Sequence, residues 1–200
     1  MTQLFRLIDN GLDFQAQRRF TAFDTFTRAN GAIGRADSGQ LWAVGGGTWT
    51  VASNAAAAAA DGGTGPLVTL PVRRPDGTLS CVVTGTSGVH GLVFRYVDGN
   101  NYWMIARDNG VFYGNGVFIH KVVAGVVTLY GPISLPSSPT TFRVAMLGTR
   151  IRIEINGVGS AFGTITDAAN QLGTRCGLLA WFADGSNRWD SFTYDQRTLF

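Results

Sequence analysis

A chain of 200 residues with 27 glycines, 12% aromatic residues and only 14% charged residues has the make-up of one all-β domain, built of short strands and tight turns. That composition excludes disorder, which needs low hydrophobicity and high charge, and argues against a helical bundle. The net charge of +3 rests on scattered arginines and one lysine, Lys121. No basic stripe with interleaved aromatics results, so no nucleic-acid partner is expected.

Residues 1–22 carry Leu4, Phe5, Leu7, Ile8, Leu12 and Phe14 among Arg6, Asp9, Asp13, Arg18 and Arg19. Their spacing fits neither the helical nor the strand period. They read equally as an N-terminal arm or short helix that docks on a neighbour, or as a first strand of the domain that fills 23–200. No charged segment precedes a long apolar one, so no signal peptide is expected. No apolar run is long enough to span a bilayer, and no membrane partner is expected. Cys81 and Cys176 both sit in apolar, strand-like runs. Two buried free thiols are the expectation, and one inter-strand bridge is the alternative.

From Phe23 onward short strands alternate with turn residues. Phe23-Asp24-Thr25-Phe26-Thr27 reads as a strand. Trp42-Ala43-Val44 and Thr48-Trp49-Thr50-Val51 flank the Gly45-Gly46-Gly47 turn. Ala55 to Ala60 is an unbroken alanine run. Alanine favours helix, but six residues are too few to hold one alone. The bracketing Asn54 and Asp61-Gly62-Gly63 make an extended segment the better reading. Further strands are expected near 67–72, 79–85, 90–98, 101–108, 117–123, 126–131, 141–147, 150–156, 174–182 and 188–195. With no helix between them they predict an antiparallel two-sheet β-sandwich.

One phrase occurs twice: Asp98-Gly99-Asn100-Asn101-Tyr102-Trp103 and Asp184-Gly185-Ser186-Asn187-Arg188-Trp189. Asp, Gly and Asn tolerate positive φ and close tight turns, and an aromatic suits the strand that follows. The phrase therefore reads as a β-hairpin signature. At Gly99-Asn100 a two-residue turn pairs Val97 with Tyr102, Tyr96 with Trp103, Arg95 with Met104 and Phe94 with Ile105. Leu92, Phe94, Tyr96, Trp103 and Ile105 then share a core face. At Gly148-Thr149, Met146, Val144 and Phe142 pair with Ile151, Ile153 and Ile155, while Arg143 faces Glu154. At Ala124-Gly125, Phe118, His120, Val122, Val127 and Leu129 share an apolar face.

The order Phe23-Asp24-Thr25-Phe26-Thr27-Arg28-Ala29-Asn30-Gly31, Trp42-Ala43-Val44, Gly47-Thr48-Trp49-Thr50-Val51, Gly91-Leu92-Val93-Phe94-Arg95-Tyr96, Asn101-Tyr102-Trp103, the Lys121-Val122-Val123-Ala124-Gly125 hairpin, Gly177-Leu178-Leu179 and Trp189-Asp190-Ser191-Phe192 resembles the concanavalin A-like, laminin-G-like jelly-roll domain. In particular it resembles the version found in minor tail and other virion proteins of phages that infect actinobacteria. The resemblance spans about residues 23–195. It implies a jelly roll whose first and last strands pair, Phe23–Thr27 beside Trp189–Tyr194. It implies a non-enzymatic virion structural role, in a tail or tail tip, with host-surface glycan binding on some members. Assembly would take place in a host cytoplasm, with residues 1–22 contacting other virion proteins. A homo-oligomer is expected, and a trimer would suit virion symmetry. Capsid decoration and a free lectin-like module are the alternatives.

Catalytic chemistry finds little support. Glycoside hydrolysis usually needs two carboxylates about one bond, yet Glu154 is the sole glutamate and Arg143 explains it. His90 and His120 are the only histidines, no Gly-x-Ser-x-Gly elbow occurs, and two His with two Cys at wide spacing argue against a zinc site. A glycan site would combine aromatic platforms with polar hydrogen-bonding groups. Its candidates are Arg95, Asp98, Asn100, Asn101, Tyr102, Arg107, Trp181, Asp184 and Asn187. No cofactor is required, but Asp98 with Asn100, or Asp184 with Asn187, offers the oxygen ligands that calcium takes.

Overall fold

A computed structural model describes residues 21–59, 65–85, 88–111, 113–133, 138–181 and 184–196. Among them are sixteen strands and no helix. Every pairing is antiparallel, and the strands form two sheets. The protein is a two-sheet sandwich, as its turn spacing predicts, and has the jelly-roll form that the resemblance implies. The expected docking arm lies outside the described residues, except that Thr21 and Ala22 already belong to the first strand.

The larger sheet contains β1 (Thr21–Asp24), β2 (Gly31–Ala32), β4 (Thr48–Ala52), β5 (Ala55–Ala59), β7 (Gly77–Thr84), β12 (Thr140–Leu147), β13 (Arg150–Ile155), β14 (Val158–Thr166) and β16 (Asp184–Asp195). Its order is β14-β13-β12-β7-β16-β5-β4-β2, with β1 on the far half of β16. The smaller sheet contains β3 (Ala43–Gly46), β6 (Leu67–Pro71), β8 (Val89–Asp98), β9 (Asn101–Asn109), β10 (Asn115–Val123), β11 (Val126–Ile133) and β15 (Arg175–Trp181), in the order β11-β10-β9-β8-β15-β6-β3. First and last strands pair as expected, Phe23 with Thr193 and Asp24 with Phe192.

Strand alternation sends Leu79, Cys81, Val83, Phe142, Val144 and Met146 from one sheet against Leu92, Phe94, Trp103, Ile105, Leu178 and Ala180 from the other. Both cysteines are free and buried, and burial raises both thiol pKa values. The alanine run is a strand for a packing reason. Ala56 pairs with Trp189 on one side, and Ala58 with Trp49 on the other. The two indoles meet across this low strip with centroids 5.0 Å apart. Tertiary packing of two tryptophans outweighs alanine's helical preference.

The opening strand is shorter than its sequence suggests. It stops at Asp24, whose buried carboxylate accepts the Phe26 N–H at 2.8 Å, Arg28 Nη1 at 2.6 Å and Trp42 Nε1 at 2.8 Å. Phe26, at φ 54°, turns the chain there.

The Gly148-Thr149 hairpin has the expected register, with Arg143 on Glu154 at 2.8 Å. The hairpin of β8 and β9 does not. Asp98 still faces Asn101, but Phe94 faces Trp103, Val93 Met104 and Leu92 Ile105. A bulge at Arg95, at φ 47°, absorbs the difference. It keeps Leu92, Phe94, Trp103 and Ile105 on the core face and exchanges the next two residues. Arg95 turns inward, and Tyr96 turns outward to meet Tyr102 at 6.1 Å. Gly173 lies against this bulge, where a Cβ would come within 2.4 Å of the Arg95 carbonyl.

The two phrases also differ in architecture. The first closes a hairpin, though neither Gly99 nor Asn100 takes a positive φ. The second is no hairpin, because β15 and β16 belong to different sheets. In both, the final tryptophan is core. Trp103 Nε1 donates to Ala169 O and Trp189 Nε1 to Gly91 O, each at 2.9 Å. On β10 the inward residues are Val117 and Ile119. Phe118, His120 and Val122 are buried on the outer side, so the expected core face is the outer face.

Candidate functional site

The nine residues singled out in the sequence fall into three places. Asp98, Asn100 and Asn101 form the turn at one end of β8. Tyr102 and Trp181 lie on the outer face of the smaller sheet. Arg95, Arg107 and Asn187 are buried between the sheets. The backbone of Asp184 starts β16 opposite Ala59, and its side chain is outside the described residues. Trp181 pairs with Val89 at the start of β8, whereas Asp98 ends that strand. The two phrases thus stand at opposite ends of the sandwich and cannot form one site.

The turn spends most of its polar groups on itself. Asp98 Oδ1 accepts the Asn100 N–H at 2.8 Å and Asn101 Nδ2 at 2.9 Å. Asn101 Oδ1 accepts the Ala124 N–H at 3.0 Å, and Asn100 O accepts that of Gly125 at 2.9 Å. These bonds staple the β8–β9 turn to the β10–β11 turn, and leave the Asn100 side chain exposed at the rim. Donor amides engage both Asp98 oxygens. Among the described residues no three His, Cys, Asp or Glu side chains converge as metal ligands.

The outer face of the smaller sheet carries aromatic groups at both ends. Near the turn, Arg175, Tyr96 and Tyr102 stand side by side on β15, β8 and β9, each half-buried. Thr69 fixes the guanidinium: its Oγ1 accepts Arg175 Nε at 2.9 Å and its carbonyl accepts Nη2 at 3.3 Å. Burial raises the pKa of both phenols, so they stay neutral at physiological pH. At the other end, about 20 Å away along β8, stands Trp181, and His120, opposite Met104 at mid-strand, contacts Trp181 and Tyr113 with centroids 5.6 and 5.3 Å apart. Between these stations Val89, Met104, Ala106 and Leu179 form a small apolar cluster of their own.

His120 is 1% exposed. Burial pushes its pKa down to about 4, against a smaller upward pull from Asp108. Asp108 anchors the loop after β9, its two oxygens accepting the N–H groups of Val111 and Tyr113 at 2.7 Å each. Glu154 lies in the other sheet, held by Arg143 at 2.8 Å and Arg152 at 3.6 Å. A concavity of about 320 Å³ opens where β14 bulges from β13, lined by Arg150, Arg152, Ser160 and Thr164 among others. It contains no aromatic platform.

Sequence reasoning selected Tyr102 and Trp181 but missed Tyr96, Arg175 and Tyr113. Tyr96 was assigned to the core because the bulge is invisible in a two-residue turn. Arg175 carries no such obstacle: Cys176, Leu178 and Ala180 face the core, so strand alternation alone places Arg175 outward.

No protein-family model matches the chain, and no curated protein does. Solved structures do. The carbohydrate binding module CBM66 from Bacillus subtilis aligns over 78% of this chain and 92% of its own, at 16% identity and TM-score 0.54. A legume lectin-like domain from Entamoeba histolytica aligns over 80% and 90%, at 14% identity and TM-score 0.52. The apo Crh5 transglycosylase aligns over 89% and 85%, at 16% identity and TM-score 0.61. At such identities the likeness is one of fold. The chain has the concanavalin A-like jelly-roll fold, shared by binding modules, lectins and sugar-transforming enzymes.

Proposed function

We propose that this protein is a non-catalytic carbohydrate-binding module whose ligand lies on the outer face of the smaller sheet, beside Tyr96, Tyr102 and Arg175. The observation that carries this reading is the half-exposed tyrosine pair next to a guanidinium whose Nη1 makes no bond among the described residues. Aromatic faces suit the apolar C–H faces of a sugar, and convergent polar donors fix its hydroxyls. The fold neighbours titled as a carbohydrate binding module and a legume lectin-like domain support the same reading. The non-catalytic part of this reading is supported by four of the described acids, Asp24, Asp98, Asp108 and Glu154, each of which is engaged in scaffold contacts.

The biological setting we propose is a phage virion, as a minor tail or tail-tip component that meets a host-surface glycan. This setting rests on the resemblance in the sequence. A glycan array with the wild type, Tyr102→Ala and Arg175→Ala tests the binding reading. Binding by the wild type that falls at least tenfold in both variants is expected, and no binding to any glycan by the wild type overturns it. Mass spectrometry of purified particles tests the setting, and absence of the chain from them would remove it.

A further inference from the structure

We propose that a small anion binds between the two sheets, held by the Arg107 guanidinium and the Asn187 amide. This site is independent of the outer-face reading. Arg107 points inward from β9 and is 4% exposed. It donates through Nη1 to Thr140 Oγ1, and its Nε makes no hydrogen bond among the described residues. No carboxylate pairs with it among the described residues, and burial lowers its pKa with no opposing charge. Asn187, on β16, is 0% exposed, and neither Oδ1 nor Nδ2 has a hydrogen-bond partner among the described residues.

The groups are neighbours. His90 faces Arg107 across the β8–β9 ladder, and both point inward. A Cβ on Gly85 would stand 2.4 Å from Asn187 Oδ1 and 3.2 Å from His90 Nε2, so both atoms crowd that one position. Arg107, Thr140, His90 and Asn187 thus come together from β9, β12, β8 and β16.

A buried cation without a counter-charge is costly, and so is a buried amide without partners. A water molecule would satisfy the amide but leave the guanidinium uncompensated. A monoanion meets both needs, because guanidinium and amide N–H groups both donate to it. The anion's source is either the solution, as chloride or acetate, or a ligand carboxylate such as that of an acidic sugar.

The test is thermal unfolding of the full chain in a zwitterionic buffer, titrated separately with chloride, acetate and glucuronate. For a bound anion Tm rises by about 5–10 °C once its concentration stands about a hundredfold above Kd. The rise should be absent in Arg107→Met and reduced in Asn187→Ala. A response to chloride or acetate assigns a solution anion, and a response to glucuronate alone assigns a ligand carboxylate. Bromide in wild-type crystals gives a second measurement that needs no variant, with an anomalous peak expected within 3.5 Å of Arg107 Nε. Equal salt response in wild type and Arg107→Met, or no bromide peak beside Arg107, overturns the proposal.

Discussion

At the turn end of the sandwich the Arg95 guanidinium enters the core beside Asp76, at 3.9 Å, and donates to Gly148 O. At the other end Arg107 enters the core beside Thr140, with no carboxylate among the described residues. The first phrase lies at the Arg95 end with the amide of Asn101 fully engaged, and the second lies at the Arg107 end with Asn187 unpartnered. One sequence pattern therefore serves two physical states. Where the phrase closes a hairpin, its side chains have backbone N–H groups within reach. Where it crosses between sheets, no described N–H group reaches the Asn187 amide.

Mutations can break or sharpen this contrast. The largest effect should come from Trp189→Ala, which empties the space over the alanine strand and strands the Gly91 carbonyl. A loss of about 3–5 kcal/mol is expected in denaturant unfolding, and a loss below about 1 kcal/mol would contradict the packing role given to β5.

Acid should weaken the outer face of the smaller sheet next. His120 has a folded pKa of about 4, below its ordinary value of about 6.5. The unfolded chain therefore takes up the proton first. Stability is full above about pH 6.5, falls as pH drops toward 4, and loses about 3 kcal/mol across that window. In His120→Phe that part of the pH dependence should vanish, as read by urea unfolding at pH 7 and pH 4.5.

The two arginines should then respond with opposite signs. Arg95→Ala should cost about 2–3 kcal/mol, because it removes the bond to Gly148 O and opens a void. Arg107→Met, measured in anion-poor buffer, should be neutral or stabilising by about 1–2 kcal/mol, because it removes a buried charge without a counter-ion. Equal losses in both would erase the contrast between the ends. The smallest effect should be Asp98→Ala, about 1 kcal/mol, for a turn that loses its side-chain acceptor.

Much of the fold was legible because period-two alternation and turn residues act over short stretches of chain. Phe142, Val144 and Met146 with Ile151, Ile153 and Ile155 could be paired across Gly148-Thr149 from spacing alone. The β8–β9 register could not, because the Arg95 bulge answers a neighbour distant in sequence, Gly173, packed against it. The same bulge hid the candidate site, since it alone brings Tyr96 out beside Tyr102. The alternation of β10 likewise marked two buried faces without saying which one meets the opposite sheet.

Local pattern by itself determined the two-sheet fold class and the strand positions, whereas the pairing of first strand with last was implied by the resemblance. The fold class and strand positions depend on turn chemistry and on apolar side chains at alternate positions, which any short window of sequence displays. Tertiary structure alone decided which copy of the repeated phrase would be a hairpin, that an alanine run would be a strand between two tryptophans, and that two arginines would be core residues. Each of these depends on what stands across the sheet or between the sheets, and residues far apart in the chain supply it.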